Sequence, residues 1–107
     1  MPFFMVQASY TSESWAMQIK NPQDRLAAIS SMAKANGSEV HSAYYAFGEY
    51  DVVIIIESPN NVDAAAFLIA AAGGGAVANL KTTVLLTSEE GLNSIKAAGG
   101  QGYAPPA

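Results

Sequence analysis

An α+β domain, with an antiparallel sheet backed by helices, is predicted by three observations. A turn at Phe47-Gly48-Glu49-Tyr50 leads into five consecutive β-branched apolar residues, Val52 to Ile56, a run suited to a strand and poorly suited to a helix. Two other stretches, Phe3 to Tyr10 and Lys81 to Thr87, carry the same strand chemistry. Between them lie helical segments with polar caps and glycine stops. Strand side chains alternate between faces, so Val53 and Ile55 point one way while Val52, Ile54 and Ile56 point the other. The chain's own helices can cover one face. With 107 residues too few elements remain for the second, and a partner subunit is expected there.

The elements follow in order. Phe3 to Tyr10 is the first strand, ending in Thr11-Ser12-Glu13-Ser14, where a hydroxyl can accept from the free amides of a helix start. A short helical turn through Trp15 and Ile19 comes next. At Asn21-Pro22-Gln23-Asp24, Asn21 is expected to cap a helix, Pro22 to fill its first position and Asp24 to face the positive end of the dipole. Leu26, Ile29 and Ala33 mark its buried face, and Asn36-Gly37 closes it.

Val40 to Phe47 is the second strand. Gly48-Glu49 is expected to form a two-residue turn into the third strand, Asp51 to Glu57. That register pairs Phe47 with Tyr50, Tyr45 with Val52, Ala43 with Ile54 and His41 with Ile56, all on one face. A slip of one residue would exchange the faces. Asn60-Asn61 caps an alanine-rich helix, Val62 to Ala72, which Gly73-Gly74-Gly75 stops. Lys81 to Thr87 is the fourth strand, and Thr87-Ser88-Glu89-Glu90 matches a capping box for a final short helix near Leu92 and Ile95.

Strand, helix, strand, strand, helix, strand is the split βαβ or ferredoxin-like order. One domain spans residues 1–96. Residues 97–107, rich in glycine and proline, form a flexible tail or docking arm.

Composition excludes several classes of function. Nine acidic against five basic residues give a net charge of −4, opposite to a phosphate-binding surface, so no nucleic-acid partner is expected. With no cysteine, disulfides, thiolate metal sites and a cysteine nucleophile are ruled out, and a cytoplasmic location is expected. The N-terminal run lacks a basic flank and breaks at Gln7, so it reads as a strand and not a signal peptide. Ala64 to Ala72 is too short to span a bilayer, and no membrane partner is expected. Half of the residues are hydrophobic, a surplus that again points to an interface.

With Phe47 before it and Val-Val-Ile-Ile-Ile-Glu-Ser-Pro after it, Gly48-Glu49-Tyr50-Asp51 resembles the signature of the GYD domain family, and Thr82-Thr83 is similar to that family's last strand. The resemblance runs from about Phe3 to Ile95. It implies a ferredoxin-like fold of the dimeric α+β barrel kind, a homodimer or higher homo-oligomer joined through its sheets. Related barrels include cofactor-free monooxygenases, isomerases and small-molecule binders, with pockets between sheet and helices. The Gly73 to Asn79 segment and the C-terminal tail depart from the pattern.

Candidate chemistry is sparse. His41 is the sole histidine and a candidate catalytic base, since imidazole suits proton transfer near neutral pH; the plainer reading is a histidine bonded to a backbone or tyrosine partner. Tyr10, Trp15, His41 and Tyr45 are the candidate lining of a pocket for a small apolar or aromatic ligand, because tyrosine and tryptophan join apolar area to one polar handle. A core or subunit seam is the competing use of such aromatics. Asp51 is expected to fix the turn through loop amides. Arg25 and Lys81 are candidates for pairing with Asp51 or Glu57, or for holding an anionic ligand. No cofactor is expected. No metal site is expected, because the carboxylates stand at no ligand spacing from His41. The glycine clusters lack the glycine-lysine step of a P-loop. The leading expectation is a small-molecule-binding oligomer; the alternatives are a cofactor-independent oxygenase or isomerase using His41, and a structural or stress-related oligomer without a pocket.

Overall fold

The computed structural model describes residues 1–102 and 104–106. Its elements are β1 (Phe3–Tyr10), α1 (Ser12–Lys20), α2 (Arg25–Ala35), β2 (Glu39–Tyr45), β3 (Val52–Glu57), α3 (Asn61–Gly73), β4 (Val77–Leu85) and α4 (Ser88–Gly99). The sheet has the order β2-β3-β1-β4 with every neighbouring pair antiparallel. This is the ferredoxin-like α+β arrangement, with β1 and β3 at the centre. Of the expected tail, Tyr103 and Ala107 lie outside the described residues, and α4 itself runs to Gly99.

Alternation along the two central strands builds the core. Phe4 and Val6 of β1 and Ile54 and Ile56 of β3 are buried against α2 and α3 through Ala33, Ala64 and Phe67, while Ala8, Tyr10 and Val52 form a second cluster packed by Leu26, Val77 and Leu80. The opposite residues of those strands, among them Phe3, Met5, Val53 and Ile55, are only half-buried on a face without helices. α4 buries no residue at all, and Ile95 on it is 71% exposed.

Several boundaries differ from the sequence expectation, β4 ending at Leu85 and not Thr87 and β2 starting at Glu39 and not Val40 among them. α2 begins at Arg25 and not Pro22, because the Asp24 carboxylate accepts from the amides of both Leu26 and Ala27, at 3.1 and 3.2 Å. Asn21 does not cap that helix; its amide closes α1 on the Met17 carbonyl. β4 begins at Val77 and not Lys81, since Tyr10 and Ser9 pair with Val77 and Ala78. The register shifts between Gln7 and Ser9, and Asn79 takes φ 52° opposite this break, a conformation asparagine tolerates better than most residues. The β2-β3 connection is a four-residue loop, Phe47 to Tyr50, closed by the Ala46 amide on the Asp51 carbonyl at 2.8 Å. The strand ends open by one pair relative to a two-residue turn, so Tyr45 still faces Val52 and Ala43 still faces Ile54.

Beyond Ser42 the expected register fails. Ser42 pairs with Ile55 but Val40 pairs with Ile56, leaving His41 as an extra residue in a β-bulge. A bulge re-aims its side chain. His41 therefore leaves the helix-covered face and stands on the open one.

Candidate functional site

A cavity of about 250 Å³ lies between the helix-covered face of the sheet and helices α2 and α3. Ala8, Val52 and Ile54 form its floor, and Phe67, Leu68 and Ala71 its roof. The cavity follows from local sequence. The α3 run Asp63-Ala64-Ala65-Ala66-Phe67-Leu68-Ile69-Ala70-Ala71-Ala72 favours helix, but its alanines are too small to fill the space over the sheet. Tyr10 and Arg25 are the wall residues that carry a polar end group.

Both polar groups are unusual in their surroundings. Tyr10 is only 7% exposed, and its hydroxyl is buried without a hydrogen-bond partner among the described residues. Burial pushes the Tyr10 phenol above its ordinary pKa; Tyr45 adds to that rise, Arg25 opposes it and Asp51 adds a smaller increment. Arg25 is half-buried and has no ion-pair partner among the described residues. It also borders a second, outer cleft of about 340 Å³ shaped by α1, the α1-α2 connection and the glycine turn after α3. Arg25, Gly74 and Ala76 belong to both hollows.

The structure brings together three of the four expected lining residues. Tyr10 and Trp15 meet edge to face with ring centroids 5.0 Å apart, and Trp15 shares a shallow surface hollow with Tyr45. Of these, Tyr10 alone reaches the cavity wall. His41 joins none of them. Its imidazole packs on Phe3 at 5.0 Å and its Nε2 lies 3.0 Å from Glu57 Oε1. The expected His41-Tyr45 neighbourhood is thus corrected by the bulge.

That displacement assembles a group with no signature in sequence spacing. Glu39 and Glu57 are paired across β2 and β3, and with His41 they offer ligand atoms within 4.8 Å of one another. These are the residues that could hold a divalent cation. The arrangement is also accounted for without a metal, since the Glu57 carboxylate is at hydrogen-bond distance, 3.0 Å, from His41 Nε2 and at 3.9 Å from the N-terminal amine of Met1.

At the other end of the hairpin, Asp51 ties the loop to β1. Its carboxylate accepts from the Tyr10 amide at 2.9 Å, and its own amide donates to the Ala8 carbonyl at 2.9 Å. The expected bond to loop amides is replaced by this bond to a neighbouring strand. Arg25 and Lys81 do not pair with Asp51 or Glu57.

The GYD domain family model matches residues 4–95. The chain belongs to the GYD domain family. Within this GYD domain, Asp51, which follows the Gly48-Glu49-Tyr50 turn, fixes the end of β1 carrying Tyr10. Two solved structures are similar in fold: "crystal structure of FFRP-DM1", at 17% identity and TM-score 0.50 over 80% of this chain and 100% of that one, and "hypothetical protein PHS023 from Pyrococcus horikoshii", at 18% identity and TM-score 0.51 over 82% and 93%. At such identities the likeness shows the GYD domain's fold alone. No curated protein matches the chain significantly. No helix among the described residues is long and apolar enough to cross a membrane.

Sequence reasoning named Tyr10, but it did not foresee that Phe67, Leu68 and Ala71 would share a cavity with Arg25. The usable signal was the alanine content of α3, which supplies helix propensity with little volume. Nothing in the spacing of the residues pointed to Glu39, His41 and Glu57 as neighbours.

Proposed function

We propose that this GYD domain is a small-molecule-binding protein that works as a homodimer in a reducing cytoplasm, each subunit holding its ligand between sheet and helices. One observation carries the reading: an apolar cavity of about 250 Å³ walled by Tyr10, whose buried hydroxyl has no hydrogen-bond partner among the described residues, and by Arg25, which has no ion-pair partner among them. A packed core leaves few such voids and leaves buried polar groups paired. The cavity is just below the usual range of ligand pockets, so the occupant is fragment-sized.

The homodimer is supported by apolar surface that the subunit does not cover. Val53 and Ile55 are already half-buried, so covering them with a second copy contributes less than the roughly 1.5 to 3 kcal/mol per side chain of full burial, before association costs. The unburied α4, with Leu92 and Ile95 exposed, supplies a second apolar strip. An enzymatic role for His41 has no such support, because the imidazole stands on the open face and away from the cavity wall.

Native mass spectrometry of the freshly purified full chain tests the reading. The expected spectrum shows twice the 11.1 kDa subunit mass with a small organic adduct that denaturation releases. A bare subunit that also fails to take up added 1-octanol refutes it.

A further inference from the structure

We propose that the occupant of the cavity is a small amphipathic monoanion, with its apolar body between Val52 and Phe67 and its carboxylate held by Arg25, where the inner cavity meets the outer cleft. This inference rests on the binding function proposed above and adds the chemical class of the ligand.

Position is the first argument. Arg25 borders both the apolar cavity and the more polar outer cleft, together with Gly74 and Ala76. A molecule filling the inner space would present its polar end at that shared wall.

The second argument is electrostatic. Arg25 is the first residue of α2, so its positive charge sits at the positive end of the helix dipole, the less favourable end for a cation. No carboxylate pairs with it among the described residues. Asp24 is committed to the amides of Leu26 and Ala27, and Glu13, which lines the outer cleft, makes no ion pair with Arg25. Local rules broken without compensation are characteristic of functional positions, and guanidinium matches the planar, two-oxygen geometry of a carboxylate. Tyr10 is the other wall residue with a polar end group; its hydroxyl has no hydrogen-bond partner among the described residues but is itself closed off from the space, so the anion's charge is left to Arg25.

Size and charge narrow the class. A volume near 250 Å³ corresponds to roughly eight water volumes, enough for a short acyl chain or a single substituted ring. Arg25 is the one basic residue in the walls of either hollow, and Glu13 is in the outer one. One positive charge beside a carboxylate suits a monoanion and disfavours a polyphosphate.

Calorimetric titration of the full chain with octanoate and with 1-octanol, on the wild type, Arg25→Gln and Arg25→Lys, is the test. The wild type should prefer octanoate by about tenfold or more, the scale of one charge-assisted hydrogen-bonded pair. Arg25→Gln should abolish the preference while leaving 1-octanol affinity within about threefold, and Arg25→Lys should keep only part of it, because an ammonium lacks the fork geometry. Unchanged circular dichroism and thermal midpoint in Arg25→Gln would show that the loss is not one of folding. Equal binding of both probes by the wild type, or an octanoate preference that survives Arg25→Gln, overturns the carboxylate assignment and leaves the cavity reading standing. Failure of the wild type to bind either probe overturns both.

Discussion

The Asp51 carboxylate accepts a hydrogen bond from the Tyr10 backbone amide at 2.9 Å, so the residue that ends the family signature fixes the residue whose phenol walls the cavity. Around this bond the Asp51 amide reaches Ala8 and the Asp51 carbonyl receives Ala46, at 2.9 and 2.8 Å. One residue therefore joins the hairpin loop to the central strand at two points and closes the hairpin itself at a third. The signature is in this sense a positioning device, holding β1 where Tyr10 and Ala8 border the cavity.

Asp51→Ala should therefore destabilise the fold by about 1.5 to 3 kcal/mol, the range for hydrogen bonds to charged groups. Asp51→Asn keeps one acceptor oxygen and should lose less. Urea denaturation of the two variants beside wild type provides the comparison; equal stabilities would contradict the role assigned to the carboxylate.

The Tyr10 hydroxyl, without a hydrogen-bond partner among the described residues, predicts the opposite sign. An unpaired buried hydroxyl carries a desolvation penalty of about 1 to 3 kcal/mol, so Tyr10→Phe should be more stable than wild type without ligand by up to that amount. Calorimetric melting in ligand-free buffer is the check, and a less stable variant would show that the hydroxyl has a partner.

Much of the fold was legible because both central strands alternate cleanly and the helix caps are strong. Thr87 and Glu90 form the expected capping box, with the Thr87 amide on Glu90 Oε1 at 2.9 Å and the Glu90 amide on Thr87 Oγ1 at 3.1 Å. The pairs Tyr45-Val52 and Ala43-Ile54 also follow from the sequence. The bulge at His41 was not legible, since β2 keeps two residues, Val40 and Ala43, on the core side at an odd spacing that no simple alternation forecasts. For the candidate site, the aromatic members could be named from residue type. Arg25 could be named only as a charge, because its place between two hollows depends on how α2 lies over the sheet.

The capping box gives a pH dependence. Hydrogen bonds from the Thr87 backbone and then its side chain hold the Glu90 carboxyl below its ordinary 4.5. A depressed folded-state pKa means that the stabilising effect is present above the unfolded value and is lost as pH falls through the lower one. The helical content contributed by α4 should thus decline on acidification below about 4.5, a decline that circular dichroism can follow. Glu90→Gln should flatten that part of the curve; an unchanged curve would remove Glu90 as its origin.

The two faces of β3 predict a contrast. Ile54 is 4% exposed in the core, so Ile54→Lys buries an unpaired charge and should destabilise by about 3 to 5 kcal/mol. Ile55 is half-buried on the open face, so Ile55→Lys should leave the subunit folded and shift sedimentation toward monomer. A folded Ile55→Lys variant that sediments like wild type would mean that the open face is not an interface between subunits.

His41 is the extra residue of the bulge, so deleting it should restore regular pairing of Val40, Ser42 and Ala43 without moving any core side chain. The lost His41-Glu57 pair is partly exposed and worth about 0 to 1 kcal/mol. The deletion variant should fold with stability close to wild type and retain ligand affinity. Loss of ligand affinity in a folded deletion variant would restore His41 to the site.

The most direct test of the binding account is an amide-resolved NMR titration of the full chain with 1-octanol. Binding in the cavity should perturb Ala8, Val52, Ile54, Phe67 and Leu68 together, and leave Met5, Val53 and Ile55 on the far side of the sheet nearly unmoved. Perturbations confined to the far side, or none at saturating probe, would contradict the account.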